Sequence, residues 1–175
     1  MLTDLLTFSH PDELKEIHLE YLRAGAHAIE TNTFGASPLR LSEYDFAGLD
    51  LARFAPAPCD ADGSRVELRA LTHEKFSYFL SRQAAQVACK ARDEYRRDAQ
   101  YDGRPLFVLG SIGPSNRVLS STDADLQTST FDAIAANFAH QIRGLLEGGV
   151  DALLFETQQD VLELKAAVIG ARKTM

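Results

Sequence analysis

The chain has no tryptophan and only two cysteines in 175 residues, and Cys59 and Cys89 fall in no paired motif. A disulfide framework and a zinc ribbon both need paired cysteines, so neither is expected. Basic residues are also in short supply. The 18 Lys and Arg stand against 25 Asp and Glu, giving a net charge of −7. A polyanionic backbone calls for a basic surface, which argues against a nucleic-acid partner. No apolar run approaches the ~20 residues that span a bilayer, and Met1-Leu2-Thr3-Asp4 lacks the basic start of a secretory leader. The expectation is a cytoplasmic protein without a membrane partner. His10, His18, His27, His73 and His140 show no i, i+4 pairing that would hold a metal, and they read as structural or surface residues. Asp60-Ala61-Asp62-Gly63 has the flavour of a calcium loop, but an EF-hand needs glycine at its sixth position and glutamate at its twelfth. Arg65 and Leu71 stand there instead, so the run is a turn.

What is present is a repeated design. Leu22 to Thr31 and Leu146 to Thr157 each carry the end of a helical stripe, a glycine, a short apolar run and a closing Glu-Thr. Glycine tolerates the left-handed conformation that closes a helix, and a helix leading directly into a strand is the αβ half of a βαβ unit. A third apolar run, Leu106 to Gly113, lies between the two copies and precedes another helical pattern. A parallel α/β architecture follows. The composition, 45% hydrophobic and 25% charged, suits one domain with a real core.

The periodicity predicts a first helix over 11–24 with Pro11 in its first turn, then a strand Ala26–Thr31 and a short helix carrying Leu39, Leu41 and Tyr44. Residues 48–71, with Pro56, Pro58 and the Asp60–Ser64 run, read as an exposed insertion. Thr72 caps a long helix reaching about Gln100. A strand from Leu106 follows, then a helix capped by Ser129 or Thr130 that ends at Gly148-Gly149. Strand Ala152–Phe155 and a last helix from Val161 complete the chain. All three strands end in polar residues: Glu30-Thr31-Asn32-Thr33, Gly110-Ser111-Ile112-Gly113-Pro114-Ser115-Asn116-Arg117, and Glu156-Thr157-Gln158. In parallel α/β proteins the site lies at the carboxyl ends of the strands, where the loops converge.

These motifs carry a resemblance. Asp4-Leu5-Leu6, Gly25-Ala26 with Ile29-Glu30-Thr31-Asn32-Thr33-Phe34-Gly35-Ala36, Gly110-Ser111-Ile112-Gly113-Pro114, and Gly148-Gly149-Val150-Asp151 with Phe155-Glu156-Thr157 resemble the homocysteine S-methyltransferase domain, across about residues 4–172. That domain is a zinc-dependent (β/α)₈ barrel found in methionine synthases and in fusions with methylenetetrahydrofolate reductase. The resemblance implies a methyltransferase that moves a methyl group to the homocysteine sulfur to give methionine. Homocysteine and a methyl donor, a folate among the candidates, would be its partners. The family's zinc, held by three cysteine thiolates, would bind the sulfur as thiolate. Neither Cys59 nor Cys89 matches a ligand position. The expectation is therefore a partial TIM barrel over 1–175, about three parallel strands with flanking helices, without zinc ligands and inactive alone. Its two open sheet edges invite self-association.

The resemblance also implies substrate-binding residues, and each has a plainer alternative. Glu156 would bind the substrate's α-ammonium, as the family's strand-four glutamate does, or else hold a helix N-terminus or a lysine. Asn32, Thr33 and Thr157 would contact the amino acid, or make local turn hydrogen bonds. Gly113, with Gly110, would let the backbone pass close to substrate or donor. Glu30 would orient Asn32 from the same strand face. Asn116 and Arg117 would steer an anionic donor such as a folate tail, or sit solvated in a loop. Two other readings stay open: a phosphate- or pterin-using barrel enzyme, which would need a basic cluster at a strand end, and a non-catalytic interaction module.

Overall fold

The computed structural model describes residues 2–46, 72–122 and 129–175. The expected insertion at 48–71, with Cys59 and the Asp60–Gly63 turn, lies outside the described residues.

A 3-10 turn, Thr3–Leu5, leads into α1 (Leu6–Ser9) and α2 (Pro11–Arg23). Pro11 occupies the first turn of α2, where a missing N–H costs nothing. Asp12 and Glu13 sit at the positive end of the helix and Arg23 at the negative end. The helix closes at Gly25, whose φ of +105° is costly for any side chain. The Ala26 N–H returns to the Tyr21 carbonyl. That use of Ala26 takes away the start of the strand expected over 26–31, and β1 is Ala28–Glu30, with the Thr31 N–H still bonded to the Leu109 carbonyl. The short helix α3 is Pro38–Leu41, with Tyr44 beyond its end.

Thr72 caps α4 (His73–Tyr95), its hydroxyl accepting the Lys75 N–H. The helix stops short of Gln100 because Arg97 and Asp98 N–H groups turn to the Glu94 and Tyr95 carbonyls, tightening the chain, and the Asp98 carboxylate takes the Gln100 N–H. Strand β2 is Phe107–Ile112. Helix α5 (Phe131–Gly148) is capped by Thr130, not Ser129, through the Ala133 N–H, and ends at Gly149 with φ +96°. Strand β3 is Ala152–Phe155, and Asp160 caps α6 (Val161–Thr174) through the Leu162 N–H.

The three strands form one parallel sheet in the order β1-β2-β3, with Ile29 opposite Val108 and Ile112 opposite Phe155. Side chains alternate across it. Ile29, Val108, Ile112, Leu153 and Phe155 meet the helices, where Leu19, Leu22, Ala88, Phe138, Ile142 and Leu145 complete two apolar clusters. A third cluster, Phe8, Ala36, Leu41, Phe76 and Leu80, ties α1 and α3 to α4. The opposite face carries Ala28, Glu30, Phe107, Leu109, Ala152 and Leu154. Phe107 there remains 45% exposed, and Ala28, Glu30 and Ala152 are exposed as well. Among the described residues the sheet is therefore covered on one face, and no helix is long and apolar enough to cross a membrane.

Two polar anchors hold the strand starts. Asp151 accepts from the Val108 N–H at 2.7 Å and from Arg92 at 2.8 Å, fixing β3 to β2 and α4. Arg104 donates to the Leu22 carbonyl, which also accepts the Gly25 N–H where α2 closes, and to the Ala26 carbonyl just before β1, and its guanidinium lies over the Tyr95 ring.

Helices α4 and α5 approach closely along small residues. A Cβ at Gly144 would strike the Tyr78 carbonyl, and one at Gly148 would stand 2.5 Å from the Ala85 Cβ. Gly144→Ala should therefore lower unfolding stability by about 2 kcal/mol through overpacking, although alanine favours a helix by up to ~1 kcal/mol over glycine. Urea unfolding checks this, and an unchanged midpoint would mean the seam is looser than described.

Candidate functional site

The carboxyl ends of the strands build one polar cluster. Thr31, 4% exposed, and Thr33, fully buried, follow β1, and Ser111, 2% exposed, stands near the end of β2. The Ser111 N–H donates to the Thr31 hydroxyl at 3.0 Å, and the Thr33 hydroxyl donates to the Ser111 carbonyl at 2.7 Å. The two threonine oxygens are 2.6 Å apart, so the Thr31 hydroxyl donates to that of Thr33 and the bonds form a ring that begins and ends on Ser111. From the helix side the fully buried Gln141 amide donates to the Thr33 carbonyl at 2.7 Å and to the Ser111 carbonyl at 3.2 Å.

On the opposite face the Ser111 hydroxyl donates to Glu156 Oε1. Glu156 is half-buried, and its own N–H continues the sheet bonding to the Ile112 carbonyl at 3.1 Å. Among the described residues no lysine or arginine pairs with it, so the lysine-holding role considered for this glutamate is not the one seen. Partial burial, followed by the Glu156 charge, pushes the Glu30 carboxyl above its ordinary range. Two carboxylates and a hydroxyl thus serve the same end of the sheet, with no lysine or arginine paired to either carboxylate among the described residues.

Thr157 follows with φ +55°, the one positive value at a non-glycine among the described residues. A β-branched residue there is strained, and such strain collects at functional sites. Gln158 donates to the Ile112 carbonyl at 3.3 Å.

The other residues singled out from the sequence divide. Asn32 donates its amide to the Thr3 carbonyl at 3.0 Å, so it ties the 3-10 turn to the site and is not oriented by Glu30. The Thr33 hydroxyl is spent within the protein, on the neighbouring Thr31 hydroxyl and on the distant Ser111 carbonyl, rather than on a local turn. The close approach that requires a glycine at 113 is made by Phe34, whose carbonyl would stand 2.7 Å from an added Cβ. At Gly110 an added Cβ would stand 3.0 Å from the Leu145 side chain, a tight contact. Both close approaches are made within the protein. Arg117 is half-buried in the loop after β2, its N–H held by Ser115. That loop is pinned to α6 by Glu163, which accepts from Ser115 N–H at 2.6 Å, and by Asp160, which accepts from Ser120 N–H at 2.8 Å.

Sequence reasoning assigned no role to Ser111 or Gln141. Gln141 had a readable signal, a polar residue on the apolar stripe of Ile134, Phe138, Ile142 and Leu145. Asp4 is a further case. Only 5% exposed, it accepts the Gly35 N–H at 3.0 Å and holds the loop after Thr33.

The described residues do not fit the zinc that the resemblance implies. Cys89 points its thiol at the Gly149 carbonyl, and burial raises its pKa, the reverse of what a thiolate ligand needs. Among the described residues no group of three or more His, Cys, Asp or Glu is placed to hold a metal. A concavity of about 380 Å³ between α3, α4 and α5, lined in part by His73, Glu74, Asn137 and His140, lies on the helical side and shares no residue with the Glu156 cluster.

The sequence profile of the homocysteine S-methyltransferase family matches residues 2–175. The chain belongs to this family. It is 33% identical over 172 residues to the methionine synthase of Mycobacterium tuberculosis, covering 98% of this chain and 11% of that protein. In fold it is similar to the homocysteine methyltransferase MmuM from Escherichia coli. The oxidized form superposes with a TM-score of 0.66 at 24% identity over 95% of this chain and 50% of that one. The metallated form gives 0.67 at 24% identity over 97% and 51%. The chain therefore spans about half the length of MmuM, and its three parallel strands with flanking helices are a partial TIM barrel.

Two outcomes are expected. Thr157→Gly should raise stability by roughly 0.5–1 kcal/mol in thermal unfolding, because glycine adopts a positive φ without strain; a loss of stability would show that the threonine side chain outweighs its backbone. Burial, with a smaller part from Asp160, raises the Glu163 pKa above its ordinary 4.5. Its contribution to stability is then complete below that value and is lost as pH rises through the raised one. Glu163→Gln keeps the acceptor for Ser115, so its stability relative to wild type should climb from pH 4.5 upward in paired melts. A constant difference across pH would show that Glu163 ionises without cost.

Proposed function

We propose that this chain supplies the first part of a homocysteine S-methyltransferase barrel, and that Glu156 grips the α-ammonium of homocysteine. The observation that carries the reading is Glu156 itself. It is a half-buried carboxylate at the end of β3, hydrogen-bonded by Ser111 and without a cationic partner among the described residues. A carboxylate already oriented and partly desolvated binds an ammonium more strongly than one in water. Glu30 adds a second negative charge on the same face. Thr157, exposed beside Glu156, is the other residue this reading places near the amino acid, while Asn32, Thr33 and Gly113 act within the protein to hold the strand ends.

Methyl transfer needs the homocysteine sulfur as a nucleophile, and nothing among the described residues is placed to generate a thiolate. We assign no step through zinc to this chain. By this reading its segment 1–175 binds one end of the amino acid and has no turnover by itself, with the reacting sulfur activated by residues from the remainder of a barrel. The bare face of the sheet, with Phe107, Leu109 and Leu154, supports a need for further strands, whether from its own polypeptide or through self-association. A folate fits the donor role through the relation to methionine synthase.

The test is direct. Purified protein is expected to hold less than stoichiometric zinc and to make no methionine from homocysteine with methyltetrahydrofolate or S-methylmethionine. It should still bind homocysteine weakly, and Glu156→Gln should weaken that binding at least tenfold, the loss of one charge-assisted contact. Stoichiometric zinc with turnover would overturn the inactivity, and unchanged affinity in the variant would remove Glu156 from the substrate.

A further inference from the structure

We infer that Ser111 is a positioning residue for Glu156, fixed for that purpose by Thr31, Thr33 and Gln141, and that this assembly makes the strand ends select ligands bearing an ammonium group. The inference rests on the reading of Glu156 given above and adds the residues that act through it.

The argument begins with what fixes Ser111. Its N–H and its carbonyl are the two ends of the hydrogen-bond ring through the Thr31 and Thr33 hydroxyls. Its carbonyl accepts a further bond from the Gln141 amide, which also donates to the Thr33 carbonyl. The backbone at 111 is thus held from β1 on one side and from α5 behind. With the backbone fixed, the Cα–Cβ bond has a single direction, and alternation along β2 sends it to the face opposite Val108 and Ile112. There the hydroxyl meets Glu156 Oε1.

A hydroxyl with one proton donates once. By giving that proton to one carboxylate oxygen, Ser111 anchors Oε1, narrows the rotamers open to Glu156 and leaves the second oxygen to a cation. Without it, a glutamate with three side-chain torsions at a strand end would have to be ordered by the ligand, at the expense of affinity. The cost of the arrangement is visible in Gln141, whose Oε1 is buried without a hydrogen-bond partner among the described residues. A leucine would fill the same apolar stripe without that penalty, so the amide is there for its two donated bonds.

Among the described residues, Glu156 is coupled in charge to Glu30, which lies on the same face of β1. Both are acidic, which favours ammonium over carboxylate and separates this end from one that would hold an anion.

The experiment compares two ligands on the 175-residue chain by NMR titration: L-homocysteine, and the mercaptobutanoate that has the same thiol and carboxylate but lacks the amine. Wild type should favour homocysteine. Ser111→Ala should lower homocysteine affinity about five-fold, the effect of one lost hydrogen bond, and leave the amine-free ligand unchanged. In a Glu156→Gln background the same substitution should change neither, since the group it acts through is gone. Thr31→Val breaks the ring without touching the Ser111 side chain, and should reduce the preference in the same direction should Ser111→Ala unfold the chain. A Ser111→Ala loss that is equal for the two ligands, or that persists with Glu156→Gln, overturns the inference and leaves Glu156 in place. Wild type that binds both ligands equally, or neither, overturns the role of Glu156 and the inference with it.

Discussion

The close approach of α4 and α5 at Gly144 and Gly148 sets how deep α5 lies against the sheet, and much else depends on that depth. One turn before Gly144, Gln141 reaches the Thr33 and Ser111 carbonyls only because the helix carrying it sits so near. The same helix drives Leu145 close against Gly110, where an added Cβ would stand 3.0 Å from its side chain, and Phe138 and Ile142 under Ile112. A side chain at 144 would lift the helix, and the amide at 141 would be drawn away from the strand ends. Packing and site are joined here by one rigid element, and the polar network inherits its precision from an apolar seam.

The network differs in kind from the core beneath it. Apolar burial is non-directional and tolerates small rearrangements, whereas a ring of hydroxyls and carbonyls is satisfied in one arrangement or leaves buried groups unpaired. The ends of β1 and β2 are held by the second kind of force. The start of β3 is held likewise, by Asp151 with the Val108 N–H and Arg92. Strand positions are therefore fixed at both ends by polar contacts and in the middle by packing, which suits a sheet whose ends must present chemistry.

Much of the fold was legible in the sequence because its punctuation is strong. Gly25 and Gly149 adopt the left-handed conformation their positions implied, Thr72 and Thr130 cap their helices, and strand Ala152–Phe155 has the bounds its apolar run marked. Boundaries that depend on where a particular N–H goes were less readable, as at Ala26 and Asp98, since propensity does not record hydrogen-bond partners. The site was half legible. Glu156 and Thr157 stand out by position and by motif. The uses of Thr33 and Gly113 could not be seen, because Ser111 and Phe34, their partners, come from distant parts of the chain. Gln141 shows the same limit from the other direction. Its position on an apolar stripe marked it as unusual, but only the fold says which carbonyls it serves.

All three apolar clusters lie on the helical side of the sheet, while Phe107 and its neighbours on the other side remain open. The consequence concerns time. The helices can order against their own face of the strands without waiting for anything to occupy the opposite one, so assembly of this layer and filling of the barrel interior are separable events. Until that face is filled, Phe107, Leu109 and Leu154 form an apolar surface along the strands.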